Sequence, residues 1–423
     1  MQETFDASQM RALNSSILLK LIWRNQEISR ADISRMTGMS RSTVSAIVSD
    51  LMQRGLVTER GVGHSNGGRR PVILAFCEDA YSVLGIELTP QGICAAVTNL
   101  NGKVQKWMQR DCAVAQDPQG TLEHLRSLLA ETLSFAEKEG RPLIGIGMGL
   151  PLPYAAGPEA RSMVLKAFPQ WQHCPVHEIF QAEAPVPVFI ENDANLGAVA
   201  ELCWGKSRQN LAFLKMGSGI GAGLIIDGKM FRGLQGFAGE VGYTSFHAPD
   251  LGRNFRLCDL LARYLNVEML AEEAAALGMV WADSRLARKK LSFANLCQAA
   301  EEGDFLAQHA LQGIARGLGV AVANLLHILN LDSVVLGGHL AGVSDAFLQQ
   351  VESTLREHAA WPEIANTPIE RSLLGEQQVA VGAATLLLEK AMDDLSFFPT
   401  LTVAVSMPTA EYWPSYERTL HTM

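Results

Sequence analysis

The chain has 423 residues, 48% of them hydrophobic and 19% charged, which excludes a disordered polymer and leaves room for two or three packed domains. Its formal charge of −9 is divided unevenly: residues 1–75 carry ten Lys and Arg against six Asp and Glu, and the remainder carries 25 against 38. A basic head on an acidic body favours phosphate at one end only. The first residues, Met1-Gln2-Glu3-Thr4-Phe5-Asp6, have neither the basic nor the apolar region of a signal peptide. No apolar run reaches membrane-spanning length, because the richest, Gly317 to Leu331, is interrupted by Asn324, His327 and Asn330. Seven cysteines, at 77, 94, 112, 174, 203, 258 and 297, show no paired spacing, which suits a reducing cytoplasm.

In chain order, the first predicted element is a helix over Gln9–Trp23, with Leu13, Ile17, Leu18, Leu21 and Ile22 on its buried side. Ser29 then has the look of an N-cap, with Asp32 as its capping-box acid and Ile33 and Met36 facing inward. Gly38 supplies a tight turn, and Ser40 caps a third helix whose inner stripe is Val44, Ile47, Val48, Leu51 and Met52. The outer face of that helix carries Arg41, Ser42, Thr43, Ser45 and Ser49, short hydrogen-bonding groups and one guanidinium that suit phosphates and base edges. Two strands follow, Leu56–Glu59 and Val72–Leu74, around a loop containing Gly67, Gly68, Arg69 and Arg70. Helix, glycine turn, helix and glycine-rich hairpin predict a winged helix-turn-helix over residues 1–75, with Gly68, Arg69 and Arg70 in a wing that reaches DNA. A plain three-helix bundle with a flexible linker is the alternative, and the combination of elements disfavours it.

From residue 82 strands and helices alternate, the mark of an α/β domain. Strands are expected at Ser82–Leu88, Ile93–Asn99, Leu143–Met148, Val188–Glu191, Leu211–Met216, Ala222–Ile226 and Ser333–Leu336. Helices are expected at Leu122–Glu137, Asn195–Leu202, Leu306–Leu329, Ser344–His358 and Val379–Glu389, the long apolar one serving the core. No internal repeat of fixed period is visible. Residues 391–423, aromatic-spotted and proline-punctuated, form a tail with no assigned role.

Four motifs stand in order: Ile190-Glu191-Asn192-Asp193-Ala194-Asn195, Met216-Gly217-Ser218-Gly219-Ile220-Gly221, Gly233 through Gly239-Glu240-Val241-Gly242, and Gly337-Gly338-His339-Leu340. Together they resemble the ROK family, which groups bacterial sugar kinases with sugar-responsive repressors. Gly67-Gly68-Arg69-Arg70-Pro71 is similar to the wing of its repressor branch, which includes the xylose and N-acetylglucosamine repressors. The resemblance spans residues 10 to about 390 and implies a two-lobed actin/hexokinase-like α/β domain over 82–390, with the lobes split near 195. It also implies roles. Asp193 stands at the position of the kinase base, Asn192 and Glu240 at sugar-binding positions, and Tyr243 where a sugar-touching His is usual. Gly217, Ser218, Gly219, Gly337 and Gly338 stand where nucleotide loops offer backbone N–H groups.

Two departures argue against catalysis. Where the family's kinases carry Asp-x-Gly-Gly-Thr, this chain has Glu87-Leu88-Thr89-Pro90-Gln91-Gly92, and Pro90 has no N–H to donate. The family's zinc loop is reduced to His247 and Cys258, too few for a four-ligand structural site, so no cofactor and no metal are expected. Asp259 and Ala167 fall near further sugar-contact positions.

The expected protein is thus a cytoplasmic transcriptional regulator of sugar genes, a repressor by its branch, with no enzymatic activity and no catalytic residue. Its partners would be a double-stranded operator, a sugar or sugar-phosphate effector, and a second copy in a homodimer or larger assembly. Two alternatives stay open: an ATP-dependent sugar kinase with a DNA-binding head, and a repressor governed by a protein partner.

Overall fold

Ser29 and Ser40 each place a hydroxyl 3.1 Å from the backbone N–H three residues ahead, and so start two consecutive helices. In the computed structural model, which describes residues 6–400 apart from 26, 63–71, 154–161, 163, 166–167, 207, 218, 249–252 and 289–290, the head runs α1 (Ala7–Asn25), β1 (Glu27–Ser29), α2 (Arg30–Thr37), α3 (Arg41–Gln53), β2 (Val57–Val62) and β3 (Val72–Phe76). Gly38, at φ +70°, ends α2 in the left-handed conformation that frees the chain to turn into α3. β3 lies between β1 and β2 in an antiparallel three-stranded sheet. β1 was not expected from the sequence. Gly68, Arg69 and Arg70 lie outside the described residues.

Three residues expected to face inward do not. Met36 is 58% exposed, and Leu13 and Ile17 are exposed, while Leu18, Leu19 and Ile22 carry the buried side of α1. α1 is gripped between the head and the body, and that selects a stripe rotated from the one that periodicity alone suggests.

The body begins with β4 (Ser82–Thr89), β5 (Gly92–Thr98), β6 (Val104–Asp111), α4 (Pro118–Glu139), β7 (Leu143–Leu150), α5 (Val176–Glu183) and β8 (Val188–Asn192). It continues with α6 (Asp193–Trp204), β9 (Leu211–Met216), β10 (Ile220–Ile226), β11 (Lys229–Met230), β12 (Ser245–Ala248), β13 (Arg253–Arg256), α7 (Leu257–Tyr264), α8 (Val267–Ala276), α9 (Phe293–Glu301), α10 (Phe305–Leu329), β14 (Ser333–Gly338), α11 (Asp345–His358), α12 (Pro362–Ala365), β15 (Ile369–Arg371) and α13 (Gln378–Asp393).

The first lobe has strand order β6-β5-β4-β7-β8 and the second β11-β10-β9-β14-β15. In each, the first three strands are antiparallel and the last two join in parallel. The two sheets therefore repeat one topology. α10 is the one helix among the described residues long and apolar enough to cross a membrane, yet half of its most apolar window is buried, with Ile314, Leu318, Val322 and Leu326 inside the second lobe's core.

α6 and α13 tie the lobes together by crossing over. α6 follows the last strand of the first lobe but packs on the second sheet: a Cβ on Gly223 of β10 would sit 2.1 Å from the Ala194 carbonyl oxygen. α13 follows the last strand of the second lobe but packs on the first: a Cβ on Gly147 of β7 would sit 1.9 Å from the Ala383 carbonyl oxygen. The two helices also touch backbone to backbone at Gly382, where a Cβ would meet the Leu196 carbonyl oxygen at 1.9 Å.

The head shares a core with the first lobe. Leu18, Ile22, Leu51, Ile144, Leu387 and Met392 belong to one buried cluster. Polar ties reinforce it: Ser16 donates to Asp393 at 3.0 Å, Lys20 pairs with the same carboxylate, and the Trp23 indole donates to Asn101 at 2.7 Å. Residues 395–398 form a short turn behind α13 that locks onto the end of α3. The Arg54 guanidinium, at the C-cap of α3, donates to the Leu395 carbonyl at 2.8 Å and to the Phe398 carbonyl. The Tyr81 hydroxyl lies 2.7 Å from the carbonyl oxygens of both Arg54 and Pro399, and the Phe398 ring is fully buried against Tyr81. Arg54→Ala strands two carbonyls in this clasp, and a loss of about 2 kcal/mol in urea unfolding is the expected result. A midpoint unchanged from wild type would show that the clasp carries no stability.

Candidate functional site

The central strands β4 and β9 end side by side where the lobes meet. Glu87 sits near the end of β4, Asp193 opens α6 directly after β8, and Lys215 precedes the last residue of β9. All three are buried. The Lys215 ammonium lies 2.8 Å from Glu87 Oε1 and 2.5 Å from Asp193 Oδ2, so one cation bridges a carboxylate of the first lobe to the one that starts the crossover helix. Burial alone would push this lysine toward neutrality, but the carboxylates of Asp193 and Glu87 outweigh it and hold the ammonium above its ordinary range. Burial raises the Glu87 carboxyl, and Lys215 only partly opposes that rise.

Sequence reasoning missed Lys215. The signal was a lone lysine inside the apolar run Leu211-Ala212-Phe213-Leu214-Lys215-Met216, since an ammonium in a strand buried throughout must have partners.

The loops around this ion triad differ from phosphate cradles. Thr89 pairs with Gly92 across a tight Pro90-Gln91 turn, and the Thr89 hydroxyl is spent on the Gly92 carbonyl at 3.2 Å. The Gly217 N–H, expected to face a phosphate, donates instead to the Gly219 carbonyl at 2.8 Å. A Cβ on Gly217 would lie 3.6 Å from the Lys215 nitrogen, and one on Gly338 3.1 Å from Lys215 Cγ, so the lysine runs beneath both glycine loops. Ser218 lies outside the described residues. Gly337 pairs with Lys215 in the parallel register of β14 and β9. His339, just beyond, is held below its usual range by burial and by the Lys215 charge, which keeps the ring neutral at pH 7.

The expected ligand residues divide. Asn192 caps α6, its Oδ1 accepting the Asn195 N–H at 3.0 Å, which leaves its amide nitrogen as a donor for a ligand. Asp193 Oδ1 accepts the Ala194 N–H at 2.7 Å while Oδ2 serves Lys215, so both oxygens of the kinase-base position are engaged. The Glu240 carboxyl is raised by burial and then by the Asp193 charge. Tyr243 is 64% exposed, with the Arg256 guanidinium 5.8 Å above its ring.

A neighbouring cluster was also missed. Glu191, buried, accepts from the Asn192 N–H at 2.9 Å, the Asn195 amide at 3.0 Å and the Arg232 guanidinium at 2.6 Å. Asn195 Oδ1 is buried with no hydrogen-bond donor among the described residues. Asp259 is turned to Arg256, at 2.7 and 2.8 Å, where it helps cap α7. Of the expected zinc loop, His247 lies in β12, which pairs antiparallel with β13, and Cys258 lies in α7. Ala167 lies outside the described residues.

On the head, Arg41, Ser42 and Ser45 are exposed and Thr43 is half-buried on the outer face of α3. The Ser40 hydroxyl gathers those of Ser42 and Thr43 at 2.8 Å each, stiffening the first turn. Arg35 is paired with Asp32 and Arg30 with Glu59, whereas Arg41 has no ion-pair partner among the described residues. A helix N-terminus with an uncommitted guanidinium is suited to a phosphate backbone or a guanine edge.

The model of the ROK family matches residues 83–390, and that of a winged helix-turn-helix DNA-binding domain matches residues 17–58. The chain is 31% identical to the xylose repressor of Caldicellulosiruptor bescii over 401 residues, 92% of this chain and 98% of that protein. It is 25% identical to the DNA-binding transcriptional dual regulator NagC of Escherichia coli, covering 89% of this chain and 93% of the other. Among solved structures, a ROK family transcriptional regulator, a homologue of the E. coli MLC protein, aligns over 92% of this chain and 98% of its own, with a TM-score of 0.67 and 22% identity. A ROK family glucokinase from Streptomyces griseus aligns over 72% of this chain and 98% of its own, with a TM-score of 0.58 and 22% identity, and so shares the fold of the body.

Proposed function

The chain belongs to the ROK family, and from that premise we infer that it is a sugar-responsive, DNA-binding repressor whose cleft senses and does not phosphorylate. In this reading residues 1–75 read the operator, with Arg41, Ser42, Thr43 and Ser45 in the major groove and Gly68, Arg69 and Arg70 in the wing. The cleft of residues 82–390 takes the effector against Asn192, Asp193, Glu240 and Tyr243, and the chain acts in the cytoplasm as a homodimer on a palindromic site. The relatives named for xylose and N-acetylglucosamine support a sugar as the effector class.

One observation carries the coupling. α13 starts beside Gly337 in the cleft, where Gln378 packs, and ends under the head, where Asp393 meets Ser16 and Lys20. At about 1.5 Å per residue this 16-residue rod spans roughly 24 Å. Its continuation, residues 395–398, grips Arg54 at the end of α3. A ligand that changes the angle between the lobes moves α13, and α13 moves the recognition helix; couplings of this kind amount to about 1–3 kcal/mol.

Loss of phosphoryl transfer fits the ion triad. A general base must be free to take the hydroxyl proton, and Asp193 is committed to Lys215. The kinase alternative has no comparable observation in its favour.

Selection of genomic fragments bound by the purified chain, with and without a sugar pool, tests the reading. A discrete palindrome that sugar releases is the expected result, with Arg41→Ala weakening it by about 1–3 kcal/mol. ADP release over a hexose panel stays at background. Sequence-blind, sugar-insensitive binding would overturn the regulator reading.

A further inference from the structure

We propose that Lys215 is the specificity-determining residue of the cleft: its ammonium, neutralised from within, closes the reacting corner to phosphate and leaves it to an uncharged, hydroxyl-bearing ligand. The proposal deepens the effector reading above and rests on it for the identity of the site.

A buried ammonium beside glycine loops would ordinarily attract an anion. Here its anions are supplied by the chain, Glu87 from the first lobe and Asp193 from the start of α6. Two carboxylates thus flank the one ammonium, and the Asp193 charge reaches Glu240 as well. An incoming phosphate dianion would face like charge in a water-poor setting, where such repulsion is strongest.

Among the described residues, three of the usual phosphate donors are not to hand. Pro90 has no N–H, the Thr89 hydroxyl is bonded to Gly92, and the Gly217 N–H is bonded to Gly219. His339, kept neutral, adds no compensating charge. What the corner offers is acceptors, in the lone pairs left on the Asp193 and Glu240 carboxylates, with the Asn192 amide as a donor. Acceptor-rich, donor-poor surroundings match hydroxyl groups, which donate to carboxylates in strong, charge-assisted bonds. A sugar phosphate could enter only with its phosphate turned away from Lys215.

The test is a calorimetric titration of the full chain with inorganic phosphate. The wild type is expected to show no saturable binding. The double variant Glu87→Gln, Asp193→Asn removes the internal counter-ions and is expected to bind phosphate at least tenfold more tightly than wild type. Adding Lys215→Met to that pair is expected to abolish the gain. Saturable phosphate binding by wild type that disappears in Lys215→Met would overturn the proposal, and so would a folded double variant that gains nothing. Where the double variant fails to fold, the single variants Glu87→Gln and Asp193→Asn are titrated instead, with a gain in phosphate affinity expected and its absence in both overturning the proposal. Operator binding plays no part in this titration, so the regulator reading and the phosphate-exclusion reading fail separately.

Discussion

Gly382→Val is expected to destabilise the chain by about 3–5 kcal/mol or to prevent folding outright. Even a methyl group at this position would fall 1.9 Å from the Leu196 carbonyl oxygen, well inside any van der Waals contact, and the obstacle is helix backbone that cannot rotate aside. α6 and α13 would have to separate. Neither can do so alone, because α13 is pressed on β7 through Gly147 and α6 on β10 through Gly223. The damage therefore reaches both sheets and, through α13, the head. Urea unfolding followed by circular dichroism gives the measure, with Gly382→Ala as the milder member of the pair. If Gly382→Val unfolds within 1 kcal/mol of wild type, the two crossover helices are not the joint that holds the lobes.

That joint was invisible in the sequence. The two lobes repeat one strand order, yet no stretch of the chain reads as a repeat, because what is duplicated is connectivity and not residue identity. The strands β4, β7, β9 and β14 were legible as apolar runs, since each is covered on both faces. The third strands, β6 and β11, were not. β6 reads Val-Gln-Lys-Trp-Met-Gln-Arg-Asp with only Met108 buried, and β11 has two residues. Edge strands of that kind lack the pattern on which a sequence reading depends. The short helices α7, α8 and α9 were missed for another reason: α7 carries Leu257, Leu260, Leu261 and Tyr264 at helical spacing, but the three span only eight to ten residues each, too short a window to separate from the loops around them.

In the head, the caps were plain from the sequence because capping is local: Ser29 and Ser40 need only the three residues that follow them. The face of α1 was not, because its burial is decided by the docking of Ser16 and Lys20 on Asp393, almost the whole chain away. The candidate site divides along the same line. Asp193, Asn192 and Glu240 belong to contiguous motifs and could be named in advance. Lys215 gains its meaning from Asp193 together with Glu87, the latter 128 positions earlier in the chain and in the other lobe.

Lys215→Met is expected to cost about 3–5 kcal/mol at pH 8, because it leaves Glu87 and Asp193 buried without the cation that separates them. The pH dependence gives the test its specificity. In the wild type the ammonium is held above 10.5, so its contribution is complete below that pH and is lost only as the pH rises through the higher folded value. Glu87 behaves in the opposite sense to an ordinary paired carboxylate. Its folded value lies above 4.5, so ionising it lowers stability as the pH climbs through that window, and Lys215 offsets the loss. Without the lysine the window widens upward, and the variant should recover stability as the pH is lowered toward 5 and Glu87 takes up its proton. Thermal melts of both proteins from pH 5 to pH 9 measure this. A gap in Tm that narrows steadily toward acid is the signature of an uncompensated carboxylate pair. A gap that stays constant across the range would mean that Lys215 serves only to fill space, and the electrostatic account of the cleft would fall with it.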